Sequence, residues 1–579
     1  MHIHNWYFNN FYNNYKHCIN FEVKEGFNSY SSFTEVMNNF DTNNSEMKNA
    51  KKAWQNLLAE WKNTNISADS VIFSIIRRIS RESIGTAKLI DLFCNKFLVA
   101  VDNLKYSSDN PLIINFHNAQ YIDRASLRVV HRLLTMSKRK NLQINFFFSS
   151  SLGLNVEDRN KFDFLNINDA ILNARAKIFN RIKDSLKPNI IGDIPKELMK
   201  INMEIELSKN HNFEAALALV TQNYEKALLY TNELIRSTRI ENDEEAYRIL
   251  GIIYANLGNI DQSYSALKMA LGNSLINTKK AHIEYLCGLL TTKRFYDMEL
   301  ASKHFNKGLS YLDYANEDHK LEYSWLINGT CFMKTIEASK LKQETKHKKL
   351  EEVLREELEA LDLISKEKGQ AALYLKFNLY SNISFLLEVK GNYKEAVVCW
   401  EQAFKRYITT AAPSSEYLRK VYTYRSGMLN WKAGYKEVGI ELLQESRDIS
   451  LRHEDRLYLE RIYYGLGYVL YQENLMNEAL DSFLSGLEVA WQLAEDSLKE
   501  YIDTILLIAK ENGTQQVYFE KINCILEGKL NPSIINKSGS YSLQKPKTKL
   551  PSYHPSTDLE DVPDIDMNAY LIEEEVRTI

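Results

Sequence analysis

The chain has 579 residues, 45% hydrophobic and 25% charged, proportions of an ordinary globular protein that exclude a fibrous or wholly disordered chain. Its 72 Lys and Arg against 75 Asp and Glu leave a net charge of −3, so the basic excess needed to hold a phosphate backbone is missing and direct binding of nucleic acid is disfavoured. The length gives room for about four domain equivalents, enough to bury sizeable cores without disulfide or metal staples.

The first twenty residues, MHIHNWYFNNFYNNYKHCIN, carry neither the basic n-region nor the apolar h-region of an export signal. The most apolar short run, Ile144 to Phe148, falls far below the roughly 18 residues that span a bilayer, so no membrane partner is expected. Cys18, Cys94, Cys287, Cys331, Cys399 and Cys524 stand apart with no CxxC, which argues against a disulfide framework or zinc ribbon. The expected location is the cytoplasm.

Up to about residue 155, β-rich runs such as Pro111 to Phe116 and Leu142 to Phe148 alternate with helical stretches, the pattern of an α/β unit on a parallel sheet. The run from Pro111 passes through an apolar strand to His117 and Asn118, then Tyr121, Asp123 and Ser126-Leu127. It resembles the Walker B region of STAND-type signalling NTPases, the group that includes the large LuxR-type regulators. The resemblance implies two acids that hold Mg²⁺ through water and polarise the attacking water. Here those two positions are His117 and Asn118, and neither imidazole nor amide supplies the charge a hard cation prefers.

In register with that family's phosphate loop, the strand Ile19 to Glu22 runs into Val23 to Tyr30. Gly26 survives, but Ser29 stands where the phosphate-binding Lys belongs and Tyr30 where the Mg²⁺ hydroxyl belongs. No other GxxxxGK[ST] occurs in the sequence. Leu142 to Leu152 takes the place of the sensor strand without its closing Arg. The resemblance thus implies a P-loop-like domain that has lost its nucleotide chemistry, with no cofactor and no metal; an unrelated α/β domain is the alternative.

Between Pro195 and Pro532 only Pro413 interrupts the chain, and apolar residues recur at helical spacing, as from Leu207 to Val220, Ala246 to Leu257 and Tyr458 to Tyr471. The clearest unit runs from Ala246 to Leu271, with Leu250-Gly251 and Tyr254 on a first helix, Gly258 near a turn, and Ser263, Leu267 and Ala270 on a second. Small residues permit close approach while large ones fill the space between helices. The unit resembles the tetratricopeptide repeat, a helix pair of 34 residues. A second copy ends in Gly391 to Phe404, about four such lengths on, and others centre on Gly427 with Gly434 and on Gly467 with Asn474. Weaker copies surround Ala227 and Phe305.

Such repeats imply a solenoid whose first helices line a groove for a protein or peptide partner. The groove positions are Arg248, Asn256, Tyr424, Trp431, Lys432, Tyr464, Tyr468, Tyr471 and Gln472, aromatics with flanking amides and cations that suit a peptide with apolar anchors. The same aromatics are equally compatible with core between repeats. Arg248 is followed by Ile252 where chaperone-binding members need Asn, so no chaperone tail is expected as ligand.

The remaining histidines are scattered without HExxH, and His117 with His131 would not make a metal site. Lys346 to Ala360 is a charged helix with i, i+4 pairs. Five of the nine prolines lie from Pro532 onward in a Ser- and Lys-rich, then acidic segment, the composition of a disordered tail. Within it Tyr570-Leu571-Ile572 is either a docking motif or part of a solubilising end.

The expected fold is therefore mostly α: a degenerate α/β P-loop-like domain over residues 1–155, a helical connector over 156–200, a tetratricopeptide-like helical solenoid over 201–530 and a disordered acidic tail over 531–579. No catalytic constellation stands out. The expected function is a non-catalytic binding scaffold or regulator with a pseudo-NTPase domain. The alternatives are a nucleotide-dependent switch of STAND type and an accessory subunit that presents a peptide to an enzyme.

Overall fold

A computed structural model describes residues 18–22, 31–38, 45–62, 84–104, 112–117, 122–139, 142, 144–149, 225, 227–231, 244–257, 259–368, 370–410, 415–493, 498–526, 543 and 545. Most of them are helical. The connector over 156–200, Gly258 and the acidic run Asp558 to Glu575 lie outside the described residues.

The first unit holds β1 (Cys18–Glu22), α1 (Ser31–Asn38), α2 (Ser45–Lys62), α3 (Ile84–Asn103), β2 (Leu112–His117), α4 (Arg124–Arg139) and β3 (Ile144–Ser149). The strands form a parallel sheet in the order β1-β2-β3. Parallel pairing requires a crossover between strands, and α4 supplies the one between β2 and β3. Central β2 reads Leu-Ile-Ile-Asn-Phe-His, an almost unbroken apolar run, because both faces of such a strand are covered. The core beside it is aromatic: Trp54 of α2 lies 4.7 Å from Phe93 of α3 and 5.3 Å from Phe33 of α1, centroid to centroid.

From residue 244 the chain is a series of helix pairs: α5 (Glu244–Asn256) with α6 (Ile260–Asn273), α7 (Asn277–Leu290) with α8 (Met298–Ser310), α9 (Lys320–Ser339) with α10 (Gln343–Leu363), and α11 (Gln370–Lys390) with α12 (Tyr393–Thr410). After these come α13 (Ser415–Lys432) with α14 (Lys436–Arg452), α15 (Arg456–Gln472) with α16 (Met476–Leu493), and α17 (Leu498–Glu511) with α18 (Gln515–Ile525). Where the sequence suggests four 34-residue units before the copy ending at Phe404, the structure has three pairs, α5 to α10, because each unit is longer. Bonds between successive first helices and their turns join residues 39 to 44 apart, as in Arg461 to Glu500 and Lys432 to Glu388.

Four of the turns inside the pairs share one device. The first helix ends in a residue with positive φ, Gly391 (85°), Gly434 (93°), Asn474 (63°) or Gly513 (67°), a conformation open to Gly and tolerated by Asn. The next amide then reaches back to the helix: Asn392 N to Leu387 O, Tyr435 N to Asn430 O and Leu475 N to Leu470 O, each at 2.9 Å, and Thr514 N to Ala509 O at 2.8 Å. This satisfies carbonyls that the helix end leaves open and reverses the chain.

Within a pair, a glycine on the first helix seats a large side chain of the second. A Cβ at Gly251 would stand 2.8 Å from Leu267, one at Gly427 2.8 Å from Leu443, and one at Gly467 2.9 Å from Phe483, three contacts at the same sequence separation. In α7 and α8 the equivalent pair, Gly288 and Phe305, is one residue further apart, and a π-helical turn over Thr291–Phe295 takes up the extra residue.

The buried apolar residues of the helix pairs fall into two large clusters, one from Ala227 to Leu379 and one from Phe377 to Leu526, and a small one that includes Val353 and Ile383, while the first unit has a core of its own. Of the segment read as a disordered tail, the structure describes Leu543 and Lys545, and Leu543 packs half-buried against the second cluster. That contact departs from the expected disorder at this residue: a leucine that reaches an apolar surface is held there by burial.

The first unit is tied to the helix pairs through Asp91 of α3. Its Oδ1 accepts from Arg132 Nη2 of α4 at 2.9 Å and its Oδ2 from Arg456 Nη2, at the start of α15, at 2.8 Å. Beside them Lys96 Nζ of α3 meets Glu454 Oε2 at 2.6 Å. The next residue, Asp455, caps α15 by accepting from Tyr458 N and pairs with the buried Lys420 of α13. Burial alone would raise the Asp91 carboxyl, but Arg456 and Arg132 together outweigh it and hold the group below the usual carboxylate range.

Four substitutions test this packing. Gly427→Ala, whose new methyl would meet Gly439 O at 2.9 Å as well as Leu443, is expected to cost about 1 to 3 kcal/mol in urea denaturation. Gly272→Ala, facing open space, should gain about 0.5 kcal/mol. Asp91→Ala leaves two buried guanidinium groups facing each other and should cost about 3 to 5 kcal/mol. Because the folded carboxyl is held low, its contribution is complete above the unfolded value and fades as pH falls through the folded one. Asp91→Asn should therefore remove an acid-side loss of stability that the parent chain shows.

Candidate functional site

In a parallel sheet, ligands gather at the carboxyl ends of the strands. Here Glu22, His117 and Ser149 form one row across that edge, in register. His117 Nε2 lies 3.1 Å from Asn115 Nδ2. Gly26, Ser29, Tyr30 and Asn118 lie outside the described residues. Asp123 is held by its own helix start: its Oδ1 accepts from Ser126 N at 2.9 Å and its Oδ2 from Ser126 Oγ at 2.7 Å. Ser126 Oγ in turn accepts from Phe33 N of α1 at 3.0 Å, so this pair joins α1 to α4. Among the described residues no cluster of three or more His, Cys, Asp or Glu could hold a metal ion, and no helix is long and apolar enough to cross a membrane.

The second candidate site lies where the first helices of the later pairs end. Trp431 Nε1 donates to Glu473 Oε1 at 2.9 Å, and Lys436 Nζ reaches Glu473 Oε2 at 2.7 Å. Lys436 first, then Trp431, hold the Glu473 carboxyl below its ordinary value. Lys432 Nζ donates to Glu388 Oε1 at 2.8 Å. Tyr471 donates to Glu511 Oε2 at 2.7 Å, and that bond, ahead of burial, raises the phenol's pKa. These bonds link the turns of four successive pairs into a ladder, with the rings of Trp431 and Tyr471 half-buried and Gln472 exposed beside them. Its rungs hold each of these side chains in place.

Three of the aromatics expected in a groove are core instead. Tyr424 and Tyr464 are 2% exposed and Tyr468 is 7%, all within the second apolar cluster. Tyr464 lies 5.2 Å from Phe483 and 5.4 Å from Tyr501, edge to face. Burial pushes its phenol up to about 12, and raises that of Tyr424 as well. Tyr424 and Tyr464 share a helix face with Trp431 and Tyr471 seven residues on, so place along the helix decides the outcome: rings in mid-helix are enclosed by the neighbouring pairs, and those in the last turn reach the edge. Arg248 is tied to its own helix, 3.5 Å from Glu245 and 4.0 Å from Glu244. Asn256 lies on α5, its side chain outside the described residues.

Sequence reasoning passed over Arg425, Glu388, Glu473 and Glu511. Arg425 is fully buried, with its guanidinium carbon 4.6 Å above the Trp400 ring and Nη2 donating to Ser384 Oγ at 2.9 Å, while Glu388 lies 3.8 Å away. The available signal was opposite charge about forty residues apart along the chain, Glu388 against Lys432 and Arg461 against Glu500.

No protein-family model matches the chain, and no curated protein matches it. Among solved structures it is similar to a signal transduction ATPase with numerous domains (STAND) with a tetratricopeptide repeat sensor from Pyrococcus horikoshii, at 13% identity and a TM-score of 0.40, over 90% of this chain and 89% of that one. At that similarity the functional reading rests on this chain's own residues.

Arg425→Ala removes a buried cation and leaves Glu388 to Lys432 alone; it should cost about 3 to 5 kcal/mol in denaturant. Arg425→Lys keeps the charge but not the planar stack, and should still cost about 1 kcal/mol or more while changing the fluorescence of Trp400.

Proposed function

We propose that this protein is a non-catalytic scaffold or regulator that captures a protein or peptide partner on its tetratricopeptide-like helix pairs. The ladder along the ends of α11, α13, α15 and α17 carries this reading. It offers two half-buried aromatic rings, an exposed amide, and lysines and carboxylates already held by internal bonds. That combination suits an extended segment with apolar anchors and a few polar groups, recognised at low ordering cost. The first unit serves as a docked companion. His117 and Asn118 in place of an acidic pair support its reading as a pseudo-NTPase without metal-assisted hydrolysis. A cytoplasmic setting agrees with the six widely spaced cysteines.

One observation favours a second reading, a nucleotide-dependent switch. The bond from Asp91 to Arg456 joins the first unit directly to α15, so a change in one could be felt by the other. Partner capture by the full chain should fall about thirtyfold or more with Trp431→Ala and measurably with Lys432→Ala or Gln472→Ala, without loss of fold by circular dichroism. Unchanged capture in all three would overturn the groove reading. Thermal unfolding with ATP or ADP, with and without Mg²⁺, separates the two readings. A nucleotide at a hundred times its Kd adds about 2.7 kcal/mol, so a shift of several degrees would favour the switch and none would favour the scaffold.

A further inference from the structure

The junction between the third and fourth helix pairs differs from its neighbours in what it buries. Asn382 of α11 donates through Nδ2 to Asn328 Oδ1 of α9 at 3.0 Å and to Glu357 Oε1 of α10 at 3.2 Å. Glu357, Asn378, Ser381 and Asn382 are each 2% exposed or less. Among the described residues Glu357 Oε2, both polar atoms of Asn378, Ser381 Oγ and Asn382 Oδ1 have no hydrogen-bond partner. Over α14 to α16, by contrast, Ser450 Oγ is an atom of this kind and the buried Arg456 guanidinium is held by Asp91.

A buried polar atom without a partner penalises the closed state and is relieved as soon as water reaches it. Glu357 Oε2 and Asn382 Oδ1 meet in this seam, and Asn378, one turn before Asn382, lies on the same face of α11, so separation here relieves them together. The apolar packing is also divided here. Leu375 and Leu379 of α11 belong to the first large cluster, Phe377 to the second, and Ile383 and Leu386 to a small one shared with α9 and α10. The loop between α10 and α11 is meanwhile pinned, since Lys376 Nζ donates to Ser365 O and Glu367 O, both at 2.7 Å. A pinned loop beside a weak seam is the arrangement of a hinge.

We propose that the array of helix pairs opens along the seam between α10 and α11, the two halves turning about the Ser365 to Lys376 tether while water enters to Glu357, Asn378 and Asn382. The opening sets the angle between the two halves and is independent of what the ladder binds. Glu357 makes it sensitive to pH. Burial raises its carboxyl well above the ordinary value, with Glu356 of α10 adding to the rise and the bond from Asn382 opposing it. On the α9 side the titratable neighbours are Cys331, whose thiol contacts Glu356 at 3.5 Å, and Lys334, which is paired with Glu356. The closed form holds the Glu357 proton and the hydrated form releases it at the ordinary value, so rising pH favours opening until the raised value is passed.

Native-state hydrogen exchange of the full chain, read by mass spectrometry and corrected for intrinsic rates, tests this. Amides of α9 and α11 should exchange through an opening at least about tenfold more populated than that of α14 to α16. Asn378→Leu, apolar and similar in volume, should reduce the opening about tenfold and leave α14 to α16 unchanged. Glu357→Gln should remove its rise with pH. Equal protection across the junctions, or an opening that neither substitution alters, would overturn the proposal. Should Asn378→Leu fail to fold, the parent pattern and its pH dependence decide the matter.

Discussion

Close approach of two helices at a glycine is the constraint on which the rest of the structure depends. At Gly251, Gly427 and Gly467 the facing side chain stands where a Cβ would have to go, so the helices pack at a distance that no larger residue permits. Once that distance is set, the branched or aromatic residue opposite fills the space, and the next pair inherits a surface of fixed shape. Turns with a left-handed residue then return the chain to the next helix. Regularity along the array follows from these two local requirements, with no long-range instruction.

Charges are laid over this apolar frame in a way that crosses it. Ion pairs join helices within a pair, as Glu284 of α7 with His304 and Lys307 of α8, and ionic or charge-assisted bonds also join successive turns: Lys432 to Glu388, Trp431 to Glu473, Tyr471 to Glu511. The latter each span a junction between pairs. Buried pairs such as Asp91 with Arg132 and Arg456 contribute more to a unique arrangement than to net stability, because desolvation offsets much of their attraction. They do make misplacement expensive, and so hold the first unit against one corner of the array.

Much of the helical part was legible in the sequence because its signals are local. Glycine followed at a fixed interval by Leu or Phe marked the pairs, and Gly434 and Asn474 marked their turns. The number of copies was not legible, since a 34-residue template counts four units where longer helices make three. The fate of the aromatics was not legible either. Tyr424 and Trp431 share one face of α13, and only their place along the helix decides which is enclosed and which reaches the edge. In the first unit, alternation of strand and helix disclosed the parallel sheet. Its contact with Arg456 joins residues 365 positions apart and leaves no trace in any window of sequence.

The π-helical turn at the end of α7 has a wider meaning for how such an array tolerates change. One additional residue enters between Gly288 and Phe305, yet the two still meet, because Thr291 and Thr292 hydroxyls cover the Cys287 and Gly288 carbonyls that the wider turn exposes. The slack is absorbed at the helix end, and α8 enters its pair in the correct phase. What is preserved from one unit to the next is a set of meeting points, and the length of chain between them is free to drift. Homologous arrays can on this account diverge in length, unit by unit, through single insertions at the turns, while their packed interiors stay superimposable.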